Sequence, residues 1–83
     1  MPVRQEVLRV LDEVLSLGGR ALSFRDETML LGAIPELDSM AVVGLITAFE
    51  EQLGVVVDDD EIDGETFSTV GTLVQFVQGK LDA

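Results

Sequence analysis

Eighty-three residues allow one small domain, with a compact aliphatic core and no catalytic cleft between two domains. Five Lys and Arg against sixteen Asp and Glu leave a net charge of −11, which excludes a nucleic-acid or anionic-membrane partner and points to basic protein surfaces. With no Cys and no His there is no disulfide, thiolate nucleophile, zinc-thiolate site or imidazole base, so most familiar enzyme constellations are excluded as well.

Hydrophobic residues make up 47% of the chain, enough for it to fold despite its charge. Val3, Val7, Val10, Leu11, Val14 and Leu15 recur at helical spacing, with charged residues between them. Pro2 suits the first turn, and Gly18-Gly19 supplies a left-handed cap, so a helix is predicted over residues 3–17. The connection that follows, residues 20–37, is long for so small a chain. It carries Phe24, Met29, Leu30, Leu31 and Ile34, so it is expected to pack against the core.

Asp38 stands where its side chain can accept first-turn N–H groups, opening a second helix over residues 39–53 that ends at Gly54. Val42, Val43, Leu45, Ile46, Phe49 and Leu53 form its apolar face, and Met40, Gly44, Thr47 and Glu51 the opposite stripe. The apolar run Met40 to Phe49 ends at Glu50-Glu51, far short of the roughly 20 residues that span a membrane. Residues 55–57 read as a buried extended linker, and 58–64 as an acidic turn with at most a short helix around Ile62. Ser68 or Thr69 caps a last helix with Val70, Leu73, Val74 and Val77 facing inward, ending near Gly79, and residues 80–83 are expected to fray. The fold class is therefore all-α: a small four-helix bundle of three main helices and one short one, with a long first loop, in one domain over residues 1–83. The N-terminus has no signal-peptide core, so a soluble, cytoplasmic, monomeric protein is expected.

The run Ile34-Pro35-Glu36-Leu37-Asp38-Ser39-Met40 places a serine at a helix start, beside an acid. Most serines there are caps or first-turn fillers. Ser39 has no His to activate it, and the sole Lys, Lys80, lies in the tail, so it is not a hydrolase nucleophile. If Ser39 has a chemical role, another protein modifies it. The acidic run Asp58-Asp59-Asp60-Glu61 invites a calcium reading: from Asp59, Glu61 and Asp63 follow at alternating positions with Gly64 sixth. The twelfth position, however, is Val70 and not a carboxylate, so a solvated acidic turn is expected and no metal site.

Over nearly its whole length the chain resembles the acyl carrier protein family. Asp38-Ser39-Met40 matches the family's Asp-Ser-Leu motif, and it is followed by AVVGLITAFEEQLG, the acidic turn VVVDDDEIDGETF, and STVGTLVQFV. Met40 replaces the usual Leu, and Glu36-Leu37 stands where the fatty-acid-synthesis members have Gly-Ala, with Ile34-Pro35 lengthening the loop. The form Leu-Asp-Ser-Met is also similar to D-alanyl carrier proteins. The longer run IPELDSMAVVGLITAFEEQLG looks most like carriers associated with exosortase and exopolysaccharide gene clusters.

The resemblance implies a freestanding, non-enzymatic carrier of the four-helix acyl-carrier type. Ser39 would bear 4′-phosphopantetheine, received from coenzyme A through a phosphopantetheinyl transferase, and an acyl group would ride on its thiol as a thioester. Partner enzymes, an acyl ligase, synthase or transferase with a basic docking surface, would then read Glu36, Asp38, Met40, Gly44, Thr47, Glu50 and Glu51. The physical logic agrees: a helix N-terminus exposes a hydroxyl and favours a phosphodiester, and surrounding carboxylates steer basic partners. A D-alanyl or aminoacyl carrier, or an unmodified acidic helical interaction module, is the alternative.

Overall fold

The helical spacing of apolar residues yields three α-helices in the computed structural model, which describes residues 3–82, Asp59 by its backbone alone: α1 (Val3–Leu15), α2 (Ser39–Leu53) and α3 (Val70–Asp82). One-turn 3₁₀ segments at Arg20–Ser23 and Asp59–Glu61 punctuate the connections, the second replacing the short helix expected around Ile62. Pro2 and Ala83, placed in the first turn and the fraying tail by sequence, lie outside the described residues.

α1 is the centre of the core. Its Val7, Leu8, Val10, Leu11 and Leu15 are buried, and it packs on both α2 and α3. α2 contributes Leu45, Ile46 and Phe49, and α3 contributes Val70, Leu73 and Val77. Leu17, Ala21, Leu30, Leu37, Val55 and Phe67 close the spaces between helices, and among the described residues no polar or charged one is buried.

α1 stops at Leu15, two residues before the sequence expectation. Ser16 itself adopts the left-handed conformation, with φ 55°, and the Leu17 N–H donates back to the Asp12 carbonyl at 3.0 Å. That is the six-to-one closure of a Schellman cap, and it drives Leu17 into the core. The Asp12 carboxylate then accepts the Gly19 N–H at 2.8 and 3.0 Å and the Ala21 N–H at 3.2 Å. One side chain thus ties the end of α1 to the Arg20–Ser23 turn.

The long first loop packs as expected, but not with every apolar residue inward. Leu30 and Leu37 are buried and Phe24 and Ile34 partly so, while Met29 and Leu31 are exposed. The reason is a short extended stretch: Met29 bridges Thr69, and the Leu30 and Leu31 N–H groups donate to Ser68 and Phe67 carbonyls at 2.8 and 2.9 Å. Successive extended residues point to opposite sides, so Leu30 goes in and its neighbours go out.

The same loop caps α3. Val70 and Gly71 N–H groups donate to the Thr28 and Asp26 carbonyls at 3.0 and 2.8 Å, and the Thr72 N–H donates to Thr69 Oγ1 at 3.2 Å. First-turn donors that a free helix would leave to water are thereby paired. The approach is close enough that a Cβ on Gly71 would stand 3.1 Å from the Asp26 oxygen. Arg4 holds the loop from α1, its guanidinium reaching Asp26 at 2.9 Å and the Phe24 carbonyl at 3.1 Å.

Two C-terminal expectations are corrected. α3 runs through Gly79 to Asp82 because Lys80 is anchored, pairing with Glu61 and standing 5.8 Å from the centroid of the Phe76 ring. Of the presumed buried linker only Val55 is buried; Val56 is exposed and Val57 intermediate, again by alternation.

Asp12→Ala leaves the Gly19 and Ala21 donors without their acceptor and is expected to cost about 2 kcal/mol, read as a lower urea midpoint at unchanged slope. A wild-type midpoint would refute the role given to Asp12.

Candidate functional site

Ser39 is the first residue of α2 and is exposed. Its position is fixed by the residues before it: Leu37 is buried as an anchor, and Asp38 is extended at φ −111°, ψ −175°. The Ala41 N–H donates to Asp38 Oδ1 at 2.8 Å, and the Val42 N–H to the Asp38 carbonyl at 3.0 Å. Asp38 is thus the N-cap the sequence anticipates, and the helix it opens begins and ends where the sequence places it, at Ser39 and at Gly54 with φ 71°.

A groove of about 260 Å³ is lined in part by Ser39. The first loop supplies Leu31, α2 supplies Val42, and the segment before α3 supplies Ile62, Asp63, Gly64 and Phe67. Its surface is mainly apolar, and the buried Phe67 is part of its lining. Gly64 sits opposite Leu31, whose Cδ2 is 3.9 Å from where a Gly64 Cβ would stand. A larger hollow of about 480 Å³ lies on α1 among Gln5, Glu6, Leu8, Arg9 and Leu22. It holds no accessible hydroxyl at a helix start, so the Ser39 groove is the better candidate.

The other residues singled out by sequence divide sharply. Met40 is 79% exposed, and Thr47 and Glu51 are exposed beyond it. Gly44 departs from that stripe: the Cβ it lacks would lie 3.5 Å from Val14, so it faces α1. Val43, expected in the apolar face, is 61% exposed and lies one helical turn from both Met40 and Thr47. The exposed stripe is therefore Met40, Val43, Thr47 and Glu51.

The carboxylates differ just as much. Glu36 is engaged by Arg20 at 2.7 Å, and hydrogen bonding from that guanidinium, then from its own backbone, holds the carboxyl below its ordinary 4.5. Glu50 is turned toward the following segment, where it accepts the Val57 N–H at 3.1 Å. Glu51 and Asp38 remain the acids most open to a partner, although Asp38 already serves as cap.

Leu31, Ile62, Gly64 and Phe67 were not legible as groove residues in the sequence. The first two read as loop and turn, and nothing in the local pattern of Phe67 marks it as groove lining. Among the described residues, no cluster of three or more acidic groups is arranged to hold a metal ion, and no helix is long and apolar enough to cross a membrane.

Residues 4–77 match the family described as "Phosphopantetheine attachment site". The chain is 32% identical over 83 residues to an acyl carrier protein of Thermotoga maritima, covering 98% of this chain and 99% of that one. It is 30% identical over 76 residues to the acyl carrier protein AsbD of Bacillus anthracis, covering 92% of this chain and 81% of that one. Its fold superposes on the solution NMR structure of a holo acyl carrier protein from Nitrosomonas europaea with a TM-score of 0.91, at 49% identity and with both chains fully covered.

Asp38→Ala is expected to cost about 1 kcal/mol in stability and to speed amide exchange in the first turn of α2; unchanged exchange there would count against its capping role. The Arg20–Glu36 pair gives a pH signature. Because the folded-state pKa of Glu36 is lowered, its contribution is present above 4.5 and is lost as pH falls through the folded value. The stability difference between wild type and Arg20→Gln should therefore shrink below pH 4.5, and a difference independent of pH would exclude the pair as its source.

Proposed function

The chain belongs to the acyl carrier proteins, the family with a phosphopantetheine attachment site, and from that premise we propose that Ser39 is the residue to which the arm is joined. As an acyl carrier it is a non-catalytic protein that partner enzymes modify and read. The observation that carries the assignment is the placement of Ser39: an exposed hydroxyl at the N-terminus of α2, immediately after the Asp38 cap and on the lining of an apolar groove.

Attachment forms a bond between Ser39 Oγ and a phosphorus of coenzyme A's pyrophosphate. The bond to the adenosine bisphosphate leaving group breaks, and a base on the transferase takes the hydroxyl proton. The chain's contribution is presentation. The α2 dipole favours the resulting phosphodiester, and the buried Leu37 fixes the hydroxyl's position. Bound there, the arm supplies the thiol that a cysteine-free chain lacks. Leu31 and Val42, which line the groove with Ser39, would hold the arm by apolar contact.

Partners dock, in this reading, on the stripe Met40, Val43, Thr47 and Glu51. An adaptable apolar centre with an acidic rim suits a succession of enzymes with basic surfaces. The apolar groove favours an acyl cargo over a D-alanyl or aminoacyl one, since a small polar group gains nothing from Leu31, Ile62 and Phe67. The resemblance of the run IPELDSMAVVGLITAFEEQLG to carriers associated with exosortase and exopolysaccharide gene clusters favours a role in exopolysaccharide or lipid assembly over primary fatty-acid synthesis.

Incubation with coenzyme A, magnesium and a broad-specificity phosphopantetheinyl transferase is expected to add one phosphopantetheinyl group to the intact mass, and Ser39→Ala to abolish the gain. No gain, under conditions that modify a control carrier, would refute carrier modification; a gain surviving Ser39→Ala would move the site. An octanoyl-loaded form should protect amides around Val42 and Phe67 more than an alanyl-loaded form does, and equal protection would remove the case for an apolar cargo.

A further inference from the structure

The chain carries a single base after Arg25, and that base is built into the structure. Lys80, in the last turn of α3, pairs with Glu61 and lies near the Phe76 ring. Glu61 is used twice: one carboxylate oxygen takes Lys80, and the other accepts the Asp58 N–H at 3.0 Å. The Glu61 N–H in turn donates to the Asp58 carbonyl at 3.0 Å, so backbone and side chain close the same turn. Hydrogen bonding from Lys80, then from the Asp58 backbone, holds the Glu61 carboxyl below its ordinary range.

The next three residues, Ile62, Asp63 and Gly64, form one wall of the groove at Ser39. Asp58, Asp60, Asp63 and Glu65 surround the pair in sequence, and their mutual repulsion favours expansion of this segment. Lys80 is the cation that opposes it. At 22% and 32% exposure, the two side chains are partly sheltered from the solvent that weakens a surface pair.

We propose that Lys80 is a positioning residue for the groove: by holding the Asp59–Glu61 turn against α3, it fixes the wall formed by Ile62, Asp63 and Gly64 and so sets how far the groove beside Ser39 opens. The consequence for cargo rests on Ser39 being the attachment residue.

The test compares the unmodified wild-type chain with Lys80→Met, which keeps the apolar stem and removes the charge, and with Lys80→Arg, which keeps the cation. In Lys80→Met, amides of residues 58–67 should exchange roughly three- to tenfold faster, while core amides of α1 and α2 keep their wild-type rates. The methyl resonances of Leu31 and Ile62 should move, and Lys80→Arg should return both readouts to near wild type. Unchanged exchange over 58–67, acceleration spread equally over α1 and α2, or unmoved groove methyls would each overturn the proposal. Because all measurements use the unmodified chain, a Ser39 that gains no mass would refute the attachment reading and leave this result standing.

Discussion

The burial of the α1 face is the constraint from which the rest of the structure follows. Val7, Val10 and Leu11 are completely buried, and both other helices pack on this one. A core of Val and Leu with few aromatics gains its stability from many small contacts, so each connection must also contribute apolar residues. That is why a loop of eighteen residues is not slack. It places Ala21, Leu30 and Leu37 in the core, and its carbonyls cap α3. The burial of Leu37 determines where Asp38 and Ser39 emerge, which links the packing of α1 to the geometry of the proposed attachment residue.

Charge plays a second, separate part. Nothing ionised is buried among the described residues, so the carboxylates do not stabilise the core; three of the five cations instead hold surface connections in place. Arg4 reaches Asp26, Arg20 reaches Glu36, and Lys80 reaches Glu61, each joining segments distant in sequence. Individually such pairs contribute little to stability. Their effect is positional: two of the three adjoin the stretch before Ser39 or the wall of its groove. The excess of acid is then left facing outward, where its field favours the approach of basic surfaces.

The site was partly legible because part of it is local. An Asp before a helix, a Ser after it and a Gly at the end are decided within one turn of backbone, and the α2 boundaries follow from them. The exposed stripe of α2 needed more. Periodicity alone cannot separate Val43 from Gly44, since both lie near the edge of an apolar arc; the approach of Val14 turns Gly44 inward and leaves Val43 exposed. Glu36 and Glu50 read as free acids, but Arg20 and the Val57 N–H come to them from other elements.

The sequence by itself determined the helical class, the three main helices, the acidic surface and the serine placed at the start of α2. These depend on spacing and on side-chain-to-backbone bonds only a few residues apart. The tertiary structure alone decided the groove, the end of α1 at Leu15 and the extension of α3 past Gly79. Leu31, Val42, Ile62 and Phe67 meet only after three segments converge, and Lys80 finds Glu61 only once α3 lies beside the acidic turn. Contacts between residues far apart in the chain depend on how the helices pack, and no local pattern encodes that geometry.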